Sequence, residues 1–106
     1  MENISFTDFQ KKIYKVIKKI PRGKIMTYQA VAKAVKKPKA TRAVGSALNK
    51  NPYAPRVPCH RVVKSNGEIG GYESGINKKI KLLTSEGVKI DGSKIMDFNK
   101  RLFDYN

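Results

Sequence analysis

Residues 27–48 read TYQAVAKAVKKPKATRAVGSAL, and the fold turns on how this stretch is read. Thr27 can cap a short helix that runs through Tyr28-Gln29-Ala30-Val31-Ala32-Lys33-Ala34-Val35. Lys36-Lys37-Pro38 makes a turn, and a further helix follows from about Lys39 to Leu48. It carries Ala40, Ala43, Val44, Gly45 and Ala47, small residues that permit close approach of another backbone. Two short helices joined by a tight turn read as a helix-turn-helix, although other α-hairpins share the pattern.

The charge around this stretch favours the nucleic-acid version. The chain has a net charge of +15 over 106 residues. Between Asp8 and Glu68 no acidic residue occurs, while 12 Lys and 4 Arg do, so this block alone carries +16 and the remainder is close to neutral. A solvated lysine face, or ribosomal or membrane-surface binding, would also use such charge. A long acid-free block in a domain of this size most often meets a polyanion, and nucleic acid is the expected partner.

Outward from residues 27–48, Ser5 or Thr7 can cap a first helix. Its apolar residues Phe6, Phe9, Ile13, Val16, Ile17 and Ile20 recur at helical spacing, and Pro21-Arg22-Gly23-Lys24 ends it. On the other side, residues 51–58 hold three prolines and read as a stiff extended loop. Val62-Val63-Lys64 and Glu68-Ile69 flank Ser65-Asn66-Gly67 as a β-hairpin, with Asn-Gly supplying positive φ. Asn77 to Glu86 reads as another helix that Gly87 stops. The tail, with Ile95, Phe98, Leu102, Phe103 and Tyr105, is expected to pack back onto the domain.

Composition closes off several classes of function. The length fits one domain with one modest core. A single cysteine excludes an internal disulfide, and one Cys with one His excludes a structural zinc site. No apolar run approaches the roughly 20 residues that span a bilayer. Met1-Glu2-Asn3-Ile4 lacks the features of a signal peptide, so the expected location is cytoplasmic, where a free thiol survives.

The lone cysteine and lone histidine are adjacent, in Pro58-Cys59-His60-Arg61-Val62. A buried free cysteine is commonly structural. Fixed positive charge nearby favours the thiolate, which is the nucleophilic form. Pro58 fixes the approach, and His60 could accept the thiol proton directly or through a water, although adjacent side chains often diverge. An acid to orient the histidine must come from elsewhere, and Glu86, at the end of a helix, is the nominee.

Pro58-Cys59-His60-Arg61-Val62 resembles the active-site signature of the O6-alkylguanine-DNA alkyltransferases. Thr27-Tyr28-Gln29-Ala30-Val31-Ala32 and Arg42-Ala43-Val44-Gly45-Ser46-Ala47-Leu48 resemble the two helices of that family's DNA-binding motif. Asn51-Pro52 stands at the family's spacing before the cysteine. Gly67, Gly70, Tyr72, Ser74-Gly75 and Leu82-Leu83-Thr84-Ser85-Glu86-Gly87 continue the resemblance, which covers about Phe6 to Ile90. The expected fold is therefore mainly α with a small β-hairpin, a winged-helix-like helix-turn-helix domain.

The resemblance implies binding of double-stranded DNA in the minor groove by a monomer, with the damaged nucleotide rotated out of the stack. It makes Arg42 the finger that fills the vacated space and Tyr28 the residue that crowds the phosphate. Thr27, Lys39 and Arg61 join them as DNA contacts, and Ala43, Gly45 and Ala47 suit a helix pressed into a narrow groove. Cys59 would take the alkyl group from guanine O6, with Tyr28 giving the departing oxygen a proton or hydrogen bond. His60 would receive the thiol proton through a water, Glu86 would orient it, and Asn51 would brace the turn. Tyr72, Gly70, Glu73 and Lys79 would line or flank the base pocket. Transfer would be irreversible, once per molecule, with no cofactor and no metal.

Two features depart from the family pattern. Members commonly carry an additional N-terminal domain, whereas here the first helix starts almost at Met1, so one catalytic and DNA-binding domain is expected over 1–106. Glu73 stands where a small hydroxyl residue is more usual, and a carboxylate there could alter lesion preference. Rival readings are an alkyltransferase-like lesion sensor, an architectural DNA-binding protein, and a cysteine hydrolase using Cys59 and His60. Sensors usually have tryptophan in place of the cysteine, and the hydrolase gives no reason for the acid-free block.

Overall fold

Thr7 starts the first helix. Its Oγ1 accepts from the Gln10 N–H at 3.1 Å while the Gln10 side chain accepts from the Thr7 N–H at 3.0 Å, a reciprocal cap. Helix α1 spans Asp8–Ile17 and buries Ile13, Tyr14, Val16 and Ile17. The computed structural model describes residues 7–51, 56–72 and 74–105; Ser5 and Phe6, Pro52 to Pro55 and Glu73 lie outside the described residues.

Strand β1 (Met26–Thr27) leads directly into α2 (Tyr28–Ala34), which Thr27 caps through its Oγ1 and the Ala30 N–H at 3.0 Å. The expected turn after α2 is present and uses both Lys36 and Pro38, the latter inside a second tight turn that the Ala40 N–H closes on the Lys37 carbonyl at 2.9 Å. Lys36 adopts φ 62, and the Lys36 and Lys37 N–H groups bond back to the carbonyls of Lys33 and Ala32, each at 2.9 Å. That is the usual left-handed termination of a helix, here without glycine. Helix α3 spans Thr41–Asn49 and starts two residues later than expected, with no side-chain cap.

Helices α1, α2 and α3 pack on one another around Ile13, Ile17, Val31, Val44 and Leu48. The remaining elements are the strand β2 (Val62–Val63), helix α4 (Ile76–Ser85), strands β3 (Ile90–Asp91) and β4 (Lys94–Ile95), and the single-turn helix α5 (Phe98–Arg101). A second apolar cluster, Ile25, Val63, Ile69, Leu83, Val88 and Ile95, gathers them. β1 pairs with β2 in parallel, Met26 opposite Val62 and Thr27 opposite Val63. Because neighbouring residues on a strand point to opposite faces, Val62 joins the first cluster and Val63 the second. This short ladder locks the two halves together immediately after Cys59.

The fold is mainly α with a small β-hairpin, but the hairpin is not where the Asn-Gly pair places it. Residues 64–68 do form a tight turn, with the Lys64 N–H bonded to the Glu68 carbonyl at 2.9 Å and Gly67 at φ 91. Val62-Val63 pairs with β1 instead of with Glu68-Ile69, since both valines are buried and β1 offers an apolar edge. The antiparallel hairpin is β3–β4, closed by Gly92 at φ 64 and Ser93, with Ile90 opposite Ile95. In the tail, Phe98, Phe103 and Tyr105 pack against the two clusters, whereas Leu102 stays 38% exposed.

Candidate active site

Cys59, His60 and Arg61 form one 3-10 turn between the proline-rich segment and β2. Asn51, itself buried, donates from Nδ2 to the Val57 carbonyl at 2.8 Å and so ties the end of α3 to the residue before Pro58. The turn is thus held on one side by Asn51 and on the other by the β1–β2 ladder.

Cys59 is buried at 6% exposure and His60 at 1%. His60 Nε2 lies 3.0 Å from Glu86 Oε2 at the C-terminal end of α4. Arg61 holds the same carboxylate with both ends of its guanidinium, Nε to Oε1 at 2.8 Å and Nη2 to Oε2 at 2.6 Å. Its remaining arm donates from Nη1 to the Ile20 carbonyl at 2.7 Å. Burial by itself would raise the Glu86 pKa, but hydrogen bonds from Arg61 and His60 outweigh it and hold the carboxyl below its ordinary value. Glu86 is therefore a carboxylate, an acceptor only, which assigns the proton to His60 Nε2.

That tautomer leaves the lone pair on Nδ1. Nδ1 is buried and has no hydrogen-bond partner among the described residues. Burial lowers the His60 pKa, and the Glu86 contacts pull upward without overcoming it. A neutral imidazole with an open acceptor, adjacent in the chain to a buried thiol, can take a proton. The two residues share no direct hydrogen bond, so the transfer needs a bridging water.

Lys79 is the least expected member. Its side chain is fully buried, and Nζ donates to the Val62 carbonyl at 2.8 Å, the Gly71 carbonyl at 3.0 Å and the Tyr28 hydroxyl at 3.5 Å. Burial lowers its pKa from 10.5 to about 8, while the nearby charge of Cys59 pulls it upward. Its position on α4 was readable: Lys79 and Leu83 are four residues apart and share the buried stripe.

Tyr28 is half-buried at the start of α2, and burial followed by the charge of Cys59 raises its pKa. Its hydroxyl stays protonated and can donate. Gly70, at φ 75, lies against it; a Cβ there would come within 3.1 Å of the Tyr28 hydroxyl. Tyr72 is half-buried against the first cluster. Glu73, expected beside it, falls outside the described residues.

A groove of about 490 Å³ opens from Tyr28 along α3, lined by Thr41, Arg42, Gly45, Ser46 and Asn49 and closed by Lys64 and Ser65. Arg42 and Ala43 are exposed on α3 and Lys39 in the turn before it. Thr27, by contrast, spends its hydroxyl on the α2 cap, and the Arg61 guanidinium faces Glu86 and Ile20 rather than the groove. Lys64 and Ser65 were not singled out from the sequence; they enter because the turn at 64–68 swings beside α3.

A family model described as the DNA-binding domain of 6-O-methylguanine DNA methyltransferase matches residues 8–88. The chain is 51% identical over 81 residues to the methylated-DNA–protein-cysteine methyltransferase of Methanosarcina acetivorans, covering 76% of this chain and 52% of that protein. It is 47% identical over 88 residues to the Saccharolobus islandicus protein of the same name, covering 83% and 56%. Among solved structures, Mycobacterium tuberculosis OGT in complex with DNA superposes with a TM-score of 0.77 at 42% identity, over 80% of this chain and 52% of that one. S. pombe Atl1, in complex with damaged DNA containing O6-carboxymethylguanine, gives 0.84 at 29% identity, over 95% and 99%. The chain spans about half the length of the curated relatives it matches.

Proposed function

The chain belongs to the 6-O-methylguanine DNA methyltransferase family through its DNA-binding domain, and on that premise we propose that it repairs O6-alkylguanine in double-stranded DNA by moving the alkyl group to Cys59. The observation that carries the proposal is the open Nδ1 acceptor of a neutral His60 next to the buried thiol.

The steps follow from the site. α3 enters the minor groove, Arg42 fills the space of the rotated nucleotide, and the lesion base enters beside Tyr28 and Tyr72. His60 takes the Cys59 proton through a water, with Glu86 and Arg61 fixing the imidazole. The thiolate attacks the alkyl carbon, the S–C bond forms as the C–O6 bond breaks, and the electron pair returns to guanine. Tyr28 donates to the departing oxygen, so that on balance the thiol proton ends on guanine. Lys79 holds the Tyr28 hydroxyl and the backbone at Val62 and Gly71. The thioether product is stable, so each molecule acts once.

The likeness to Atl1 over nearly its whole length supports a second reading, a lesion-binding protein that transfers nothing. Cys59 weighs against it, because binding alone gives no use for a thiol adjacent in the chain to an open imidazole acceptor. Titrating O6-methylguanine duplex with protein decides between them. Loss of the lesion equal to the moles of protein, and none with Cys59→Ser, supports transfer; binding with the lesion intact at any ratio refutes it.

A further inference from the structure

The groove along α3 uses little of the positive charge. Of the acid-free block's cations, only Arg42 and Lys64 line it. Lys11, Lys12 and Lys15 on α1, with Lys18 and Lys19 just after it, are all exposed elsewhere. The inner residues of α1 are buried, and the Tyr14 hydroxyl donates to the Ala47 carbonyl on the core side of α3 at 2.7 Å. α1 therefore packs behind α3, and its lysines face away from the groove.

On that far side the lysines converge on a second concavity. Lys12, Lys15 and Lys36, with Tyr105, line a cleft of about 280 Å³, and Lys19 Nζ stands 5.3 Å from the centre of the Tyr105 ring. No residue of this cleft lines the groove. Among the described residues, Lys11, Lys12, Lys15 and Lys18 form no ion pair. Lys36 occupies a left-handed position, φ 62, that glycine would fill with less strain. Tyr105 belongs to a segment beyond the family match, which ends at residue 88.

We propose that the outer face of α1, with Lys36 and Tyr105, binds the phosphate backbone of a second duplex, so that one molecule holds two DNA segments at once. From Lys11 to Lys18 the helix covers about 10 Å, a length over which a duplex presents about six phosphates. A membrane surface would be met by large apolar side chains among the lysines. Among the described residues, the exposed large hydrophobic ones, Ile76, Met96 and Leu102, all lie outside α1.

The inference rests on the proposed function only for the placement of the first duplex. Its test is fluorescence cross-correlation of two differently labelled duplexes, one carrying O6-methylguanine, with the full chain held below the duplex concentration. Native protein should join the two labels. The triple variant Lys12→Gln, Lys15→Gln, Lys19→Gln changes exposed side chains alone and should join them at least about tenfold less, with a salt dependence shallower by about three in the log–log slope. Transfer to Cys59, read by mass in the same samples, should be unchanged. Absence of joint complexes with native protein overturns the inference, as does equal joining by the triple variant. Binding of native protein to phosphatidylserine vesicles without joining of duplexes also overturns it, by assigning the face to a membrane. Joining without transfer supports the second surface while refuting the transfer reading, so the two failures are distinct.

Discussion

Raising the pH from about 7 to about 10 should stabilise the folded protein through Lys79, and replacing Lys79 with Met should remove that gain. The unfolded lysine titrates at 10.5 and the buried one at about 8. Below the lower value both states carry the proton, and the folded state bears the full penalty of burying the charge. Between the two values the unfolded chain holds a proton that the folded chain has released, so stability rises with pH. At about 1.4 kcal/mol for each pH unit, the interval corresponds to about 3 kcal/mol, about three quarters of it gained by pH 10. Met matches the length of the apolar stem but leaves the Val62 and Gly71 carbonyls without their donor. Lys79→Met should thus be less stable than native protein at high pH by a few kcal/mol, with the gap narrowing at neutral pH. Urea denaturation followed by circular dichroism, repeated at intervals of pH, measures both curves. Parallel curves for the native and Lys79→Met proteins would refute the reasoning, because exposed lysines titrate alike in both.

Other consequences concern the rest of the site. Glu86→Gln leaves the Arg61 guanidinium without its carboxylate and should destabilise the fold by about 1.5–3 kcal/mol, the range for a hydrogen bond to a charged group. Because the Glu86 pKa is lowered in the folded state, its contribution is present above its ordinary value and lost as pH falls through the folded one. Acid titration of the native protein should show that loss and Glu86→Gln should not; an identical acid profile in both would contradict the assignment. Gly70→Ala forces a Cβ to within 3.1 Å of the Tyr28 hydroxyl at φ 75; it should lower stability by about 1–2 kcal/mol and slow single-turnover transfer, and normal transfer would remove Tyr28 from the reaction. Arg42→Ala should slow transfer from duplex DNA more than from a free alkylated base, whereas equal slowing would remove its role as the inserted finger.

Where one residue's periodicity or chemistry decided the structure, the sequence was legible. The Thr7 and Thr27 caps, α1, α2 and the helix ending before Gly87 all follow from local patterns, and the expected contact of Glu86 with His60 is present at 3.0 Å. Where two local signals competed, tertiary pairing chose. Asn66-Gly67 and Asp91-Gly92 both stand between short apolar runs, but only the second closes an antiparallel hairpin. Val62-Val63 is buried on both faces and was claimed by β1, a partner some 36 residues away that no local rule identifies. Arg61 illustrates the same limit: the resemblance makes it a DNA contact, whereas Glu86 inside the fold holds its guanidinium. The burial of Lys79 is not legible in the same way, because a helical lysine is ordinarily solvated; its acceptors are the Val62 and Gly71 carbonyls and the Tyr28 hydroxyl, which only the folded chain brings together.

Whether Cys59 receives the alkyl group is read by intact mass spectrometry. Native protein and Cys59→Ser are each incubated with duplex DNA carrying O6-methylguanine, then weighed and digested. Native protein alone should gain one methylene, mapped to the peptide containing Cys59, reaching completion at one lesion per molecule. An unchanged mass with lesion-selective binding retained would contradict transfer and make the chain a lesion-binding protein of the same family.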